Sequence, residues 1–211
     1  MFAEMRLAAS IPTGSDILHH ISALPSASRE TAMTAIRAVE TRAMARQVAQ
    51  PGLQPLMAYL DARGVPKAIL TRNFDEPVAH LLAKFLAGSV FDPIVTRAFE
   101  PPKPAPHGLW HIAERWGLGQ GRGAARGLIM VGDSLDDMTA GYRAGAATVL
   151  LVNEVNAHLA EHEHTDLCIS RLDELVEVLE RGFVGRVERD EERDDVRERA
   201  EGVLREGRGE T

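Results

Sequence analysis

The stretch Leu128-Ile129-Met130-Val131-Gly132-Asp133-Ser134-Leu135-Asp136-Asp137 limits the fold more than any other part of the chain. An apolar run ends in a glycine, and three carboxylates follow within five positions. Such a run reads as a buried strand opening into an acidic loop. A strand apolar along its whole length needs cover on both faces, as in a parallel sheet between helices. The neighbouring pattern agrees. Short apolar strands are predicted at 68–70, 91–96, 128–131 and 148–152, with an edge strand at 167–169. Helical spacing is predicted after Asp75 (Val78, Leu81, Leu82, Phe85), over 104–116 (Leu109, Ile112, Ala113, Trp116), over 137–144 and over 172–179. Strands alternating with helices of this length predict an α/β fold with a doubly wound parallel sheet.

The N-terminal part has another texture. Ser15 is placed as the cap of a short helix ended by Pro25. Ser28 is placed as the cap of a longer one carrying Ala32, Ala35, Ile36, Val39 and Ala43. Pro51-Gly52 breaks the pattern, and Leu56, Leu60 and Gly64 mark one more helix. The expected organisation is a helical cap segment at 1–50, an α/β core at 51–182 and a charged tail at 183–211. The tail's dense mixed charge predicts disorder or a solvated helix. A formal charge of −7 argues against nucleic acid as a partner. No apolar run approaches the ~20 residues of a membrane span. A single cysteine, Cys168, excludes an internal disulfide and fits a reducing, cytoplasmic setting. Nothing in the sequence addresses oligomeric state.

In an open α/β sheet the functional crevice lies beyond the C-terminal strand ends. Thr71-Arg72-Asn73 follows the strand at 68–70. Lys103 follows the second strand within Pro101-Pro102-Lys103-Pro104. Asp133, Ser134 and Asp137 follow the third. A hydroxyl, an ammonium and a carboxylate cluster make a site for a phosphoryl group. Thr71 and the amides after it can donate to phosphate oxygens. Lys103 can neutralise developing charge. The carboxylates can hold Mg²⁺, which prefers oxygen ligands.

These segments resemble the haloacid dehalogenase-like (HAD-like) hydrolase superfamily, phosphatase type, with phosphoglycolate phosphatase-like members. Lys67-Ala68-Ile69-Leu70-Thr71-Arg72-Asn73 is similar to its second motif and Lys103-Pro104-Ala105-Pro106 to its third. Val131-Gly132-Asp133-Ser134-Leu135-Asp136-Asp137-Met138, continuing to Gly141, Ala144 and Gly145, is similar to its fourth. Asp173-Glu174-Leu175 also resembles the family, and the match spans roughly residues 50 to 182. The resemblance implies a Rossmannoid sheet with a small helical cap and a Mg²⁺-dependent phosphatase of a small phosphorylated metabolite. It implies that Thr71, with Arg72 and Asn73, binds phosphate. Lys103 would orient nucleophile and phosphate, and Asp133 would bind Mg²⁺ directly. Asp137 would act in the outer metal shell or on Lys103, and Ser134 would support the loop.

One piece is not in the sequence. The family's first motif is a strand ending Asp-x-Asp-x-Thr, whose first aspartate becomes an aspartyl phosphate. No Asp-x-Asp precedes Thr71; the only aspartates there are Asp16 and Asp61, in predicted helical segments. The resemblance places that strand mid-sheet, between those ending at Thr71 and Val131. The expectation is therefore a central gap in the sheet and a chain inactive as it stands. An N-terminal truncation explains it, with the motif encoded immediately upstream of Met1. The alternative is a pseudo-phosphatase that binds phospho-ligands or proteins without turnover. A phosphorelay receiver domain also uses Asp, Thr and Lys around Mg²⁺, but its acidic residues come first along the chain.

Plainer readings apply elsewhere. Asp133–Asp137 suits a helix N-terminus on electrostatic grounds alone. Asp136 is expected to point to solvent, and Arg72 suits a surface ion pair as well as a substrate. His158, His162 and His164 are expected on a solvated face. The run 117–124 is expected to be a flexible loop, because it follows a helix where a dinucleotide fingerprint follows a strand. Cys168 is expected to be a small buried apolar residue, and Trp110 and Trp116 to pack a helix. Sequencing the codons upstream of Met1 tests the truncation: an apolar strand ending Asp-x-Asp-x-Thr is expected, and a nearby in-frame stop contradicts it.

Overall fold

A computed structural model describes residues 2–15 and 17–183. Asp16 and the tail beyond residue 183, both assigned above, lie outside the described residues. Among the described residues two compact units are present: residues 2–15 and 17–49 with 76–84, and residues 50–75 with 85–183.

The first unit is helical: α1 (Phe2–Ala8), α2 (Ile17–Ser22), α3 (Ser26–Arg46) and most of α5 (Asp75–Phe85). Met5, Ile11, Ile21, Ala32, Ile36 and Val39 form its core. Helix α3 starts earlier than expected. Pro25 takes the N-cap position and Ser28 lies inside the first turn, because proline's fixed φ of −55° already suits the entry. The last carbonyls of α3 have no partners within the helix. His80 Nε2 meets Met44 O at 3.1 Å, and Lys84 Nζ donates to Ala45 O (3.2 Å) and Gln47 O (2.8 Å). That chemistry ties residues 76–84 to this unit.

The second unit holds α4 (Leu53–Ala62) and the strands β1 (Ile69–Leu70), β2 (Ile94–Val95), β3 (Ile129–Gly132), β4 (Ala147–Leu151) and β5 (Leu167–Ile169). Helices α6 (His107–Arg115), α7 (Gly121–Ala124), α8 (Leu135–Ala144) and α9 (Glu174–Arg181) complete it. All strand pairings are parallel, in the orders β1-β2 and β3-β4-β5. The β3–β5 sheet is covered on both faces, as its apolar strands require. Met130 packs with Leu109, Ile112 and Ala140 of α6 and α8. Val149 and Ile169 pack with Leu56 and Leu60 of α4 and Leu175 of α9.

The strands do not form one continuous sheet. Thr71 N donates to Val95 O and Ile69 N to Pro93 O, so Ala68 and Leu70 turn their main-chain groups away from β2. Ala147 N donates to Leu128 O, so Ile129 and Val131 turn theirs away from β4. Among the described residues no ladder joins β1 to β3. The break coincides with the position that the resemblance assigns to a central strand. Strands β1 and β2 are shorter than the sequence suggests.

The glycine-rich run at 117–124 differs from expectation. Its end forms α7, and a 3-10 turn at Ala125–Gly127 follows, because Ala124 and Ala125 bury against the α6 core. Among the described residues no helix is long and apolar enough to cross a membrane.

Gly141 lets α8 lie close on the sheet. A Cβ there would stand 2.6 Å from Thr148 Cγ2 and 3.0 Å from Met130 Cβ. Gly→Ala in an open helix gains about 1 kcal/mol, but overpacking a core costs about 1–3 kcal/mol. Gly141→Ala is expected to lower stability, read as a lower urea midpoint; a raised midpoint would contradict this packing.

Candidate active site

The site forms where β1, β2 and β3 end. Lys103, in the loop before α6, points its ammonium inward. Its Nζ donates to Leu70 O at 2.9 Å and to Asp137 Oδ1 at 2.5 Å. The two side chains are only 11% and 8% exposed, so the charges are shielded from water and hold each other. One ammonium thus joins the end of β1 to the start of α8.

Asp137 has little capacity left. Its Oδ2 accepts from Ser134 Oγ (2.7 Å), Ser134 N (3.2 Å) and Asp133 N (3.2 Å). Its own amide donates to Ser134 Oγ, closing a capping box at the N-terminus of α8. The helix-terminus reading of this stretch is therefore correct for Ser134 and Asp137, but the carboxylate is buried rather than solvated. Gly132 makes room for it, since a Cβ there would lie 2.4 Å from Asp137 Cβ.

Asp133 is the contrasting carboxylate. It is exposed, and its side chain makes no hydrogen bond or ion pair among the described residues. Its carbonyl is held instead: buried Asn156 donates Nδ2 to Asp133 O (2.8 Å) and to Leu151 O (2.9 Å). Asn153 locks Asn156 in turn, accepting from its amide at 3.1 Å. The sequence reading passed over Asn156. The signal was an Asn-x-x-Asn pair directly after β4.

Thr71 begins the loop after β1. Its Oγ1 accepts from Asn73 N at 3.1 Å, which leaves the hydroxyl proton free to be donated elsewhere. The Asn73 amide is thereby used within the loop, and Asn73 O accepts from Arg97 N. Arg72 Nη1 pairs with Asp136 Oδ2 at 2.8 Å. Asp136 is therefore not simply pointed at solvent; it crosses to the β1 loop. Thr71, Arg72 and Lys103 line one cavity, walled by Leu70, Val95 and Phe99.

The oxygen donors here suit a hard cation that keeps most of its water. Asp133 is the ligand they offer, while Asp137 is committed to Lys103 and the helix cap. Among the described residues no group of three or more His, Cys, Asp or Glu is placed to hold a metal. The carboxylate set is thus partial.

Two of the three histidines expected on a solvated face differ from that expectation. His158 is exposed, but His162 and His164 are half-buried. His164 stacks on Tyr142 at 4.2 Å and its Nδ1 meets Thr139 Oγ1 at 3.0 Å, so packing against α8 takes it off a solvated face, and His162 packs edge-on against it at 4.7 Å. Cys168 is buried beside Met138 and Leu150. Trp110 and Trp116 pack on the α6 core, as expected.

The model of the haloacid dehalogenase-like hydrolase family matches residues 3–145. The chain belongs to the haloacid dehalogenase-like hydrolase family. It is 42% identical to the uncharacterized hydrolase YOR131C of Saccharomyces cerevisiae, over 85% of this chain and 83% of that protein. It is 34% identical to the haloacid dehalogenase-like hydrolase domain-containing protein At2g33255 of Arabidopsis thaliana, over 71% of this chain and 58% of that one. Among solved structures, a hydrolase from Pseudomonas syringae superposes with a TM-score of 0.65 at 18% identity, over 85% of this chain and 89% of that one. That likeness speaks for the fold.

Removing one partner of a buried ion pair costs about 3–5 kcal/mol. Asp137→Ala is expected to fall in that range, because Lys103 stays buried and unpaired. Lys103→Met should cost less, since Asp137 keeps three donors. Asp133→Asn should change stability by less than ~0.5 kcal/mol. Urea unfolding of the three variants checks this order. Asn156→Ala should cost about 1–3 kcal/mol by orphaning two carbonyls; a neutral urea midpoint would contradict its bridging role.

Proposed function

We propose that this chain carries a Mg²⁺-dependent phosphomonoester hydrolase site for a small phosphorylated metabolite, working in the cytoplasm through an aspartyl-phosphate intermediate. The observation that carries the reading is Lys103 Nζ, held between Leu70 O and Asp137 Oδ1 in the cavity that also presents Thr71. Family membership gives hydrolysis; the ammonium and hydroxyl at one cavity favour a phosphoryl group as its target.

Each residue has a part in this scheme. Thr71 donates its hydroxyl proton to a phosphate oxygen, oriented by the Asn73 amide on its lone pair. Lys103 neutralises charge that builds on the phosphoryl oxygens. Asp137 keeps that ammonium aimed, and acts through Lys103 rather than on substrate. Asp133 would hold the metal, with Asn156 fixing its loop; the chemistry Mg²⁺ would supply when bound is charge neutralisation at the phosphoryl group.

The attacking carboxylate belongs to a first motif that this sequence does not contain before Thr71. In this scheme the chain binds but does not complete the cycle. The same observation favours the second reading, a non-catalytic relative that uses Thr71, Lys103 and Asp133 to bind a phospho-ligand or a protein.

An aryl phosphate assay with Mg²⁺ tests the proposal on this chain and on one extended by an apolar strand ending Asp-x-Asp-x-Thr. Turnover is expected only from the extended chain and should be lost in Asp133→Asn. Metal-dependent turnover by the unextended chain, abolished by Asp133→Asn, would overturn the assignment of the missing nucleophile. No turnover from a folded extended chain would favour the binding module.

A further inference from the structure

The break between the two ladders leaves β1 and β3 with one open edge each, both inside the second unit. Alternation along each ladder leaves the amides of Leu70, Ile129 and Val131 without an acceptor among the described residues. The two edges look into the same gap. Leu70 O and Asp133 N lie on these edges by alternation, and Lys103 with Asp137 joins them. That chain of contacts lets the strand ends stand up to about 10 Å apart, room for one strand at about 4.8 Å from each. Side-chain burial agrees. Ile69, Leu70, Ile129 and Val131 are half-buried, whereas Cys168 and Ile169 on the outer strand β5 are 5% and 2% exposed. The apolar side chains bordering the break are thus more open to water than those of an edge strand.

We propose that this break is a docking slot for a strand from another polypeptide: an extended apolar segment of about five residues, led by an acidic one, that enters parallel to β1 and β3 and pairs with both. Only a strand presents main-chain donors and acceptors along two opposite edges. Pairing satisfies amides that otherwise depend on water. Alternate side chains of the added strand would fall on the cluster of Leu70 and Met130 on one face and on that of Val131 and Leu60 on the other. Charge sets the direction. Arg126, just before β3, is exposed and makes no ion pair among the described residues. The opposite end of the slot holds Lys103, already neutralised by Asp137. An acidic residue ahead of the strand therefore gains most when it enters beside Arg126. Neither phosphate nor metal takes part, so the inference stands apart from the hydrolase reading.

Amide exchange followed by NMR on the full 211-residue chain tests it. The probe is a synthetic peptide of alternating valines and isoleucines, led by glutamate and closed by two lysines for solubility. Saturating peptide is expected to slow exchange at Leu70, Ile129 and Val131 about tenfold or more, and to change Ile69 and Met130, bonded within their ladders, by less than about threefold. Methylating the nitrogens of every second residue removes one edge of the peptide. Methylation of either set should abolish binding, because the slot uses both edges. Binding that survives methylation of one set means pairing with a single edge and overturns the slot. Moving the glutamate to the far end should weaken binding about threefold, and Arg126→Glu should remove that preference. An affinity indifferent to both changes overturns the parallel entry. Unchanged exchange at the three amides overturns the proposal. So does slowing that appears without peptide and grows with protein concentration, since a second copy then fills the break. Equal peptide binding by the chain extended with its own apolar strand means adventitious apolar contact and overturns it as well. Turnover in the aryl phosphate assay bears on the hydrolase reading alone.

Discussion

The ammonium of Lys103 is the point on which the site depends. It donates at once to the last carbonyl of β1 and to a carboxylate on α8. Those two elements lie on opposite sides of the break between the β1–β2 and β3–β5 ladders. Among the described residues, main-chain hydrogen bonds do not join the two ladders there. A buried ion pair and a shared apolar core do, with Ala68 and Leu70 packed against the cluster that contains Met130. Packing brings the two ladders together, and Lys103 sets how their ends face each other.

From that contact the division of labour among the carboxylates follows. Asp137 is spent on Lys103, Ser134 and two amides, so it fixes the ammonium and the loop before α8. Asp133 faces outward with its oxygens uncommitted, so it is the one able to meet a cation. Asp136 reaches back to Arg72. Three acids within five positions look alike in the sequence, yet burial and partners give them three different tasks. Gly132 and Asn156 serve the same division: one opens space for the Asp137 carboxylate, and the other holds the Asp133 carbonyl.

Much of this was legible in the sequence, for physical reasons. An apolar run followed by glycine and acids can hardly be other than a buried strand end, and β3, β4 and β5 fall where the periodicity puts them. The places of Thr71, Lys103 and Asp133 in the fold were legible, since each falls at a strand end or in a nearby loop. Contacts that depend on distant chain segments were not. Nothing in the local pattern pairs Arg72 with Asp136, and nothing marks Asn156 as a bridge to Asp133. His162 and His164 read as solvated because their neighbours are charged, while His164 stacks on Tyr142 and His162 packs edge-on against His164. Glycines hid the short helix α7, whose stability comes from buried Ala124 and Ala125 rather than from propensity. Helix α5 was legible as a helix, but its grouping with residues 1–49 rests on the carbonyls that His80 and Lys84 meet.

The central claim is that two strand-end loops on separate ladders act as one anion and metal site through Lys103. Backbone amide NMR during titration with inorganic phosphate and Mg²⁺ tests it most directly. The account predicts that the amides of Thr71 and Arg72 and those of Asp133 and Ser134 shift together along one binding curve, and that Lys103→Met uncouples them. Shifts confined to one loop, or two independent curves in the unaltered chain, would contradict it.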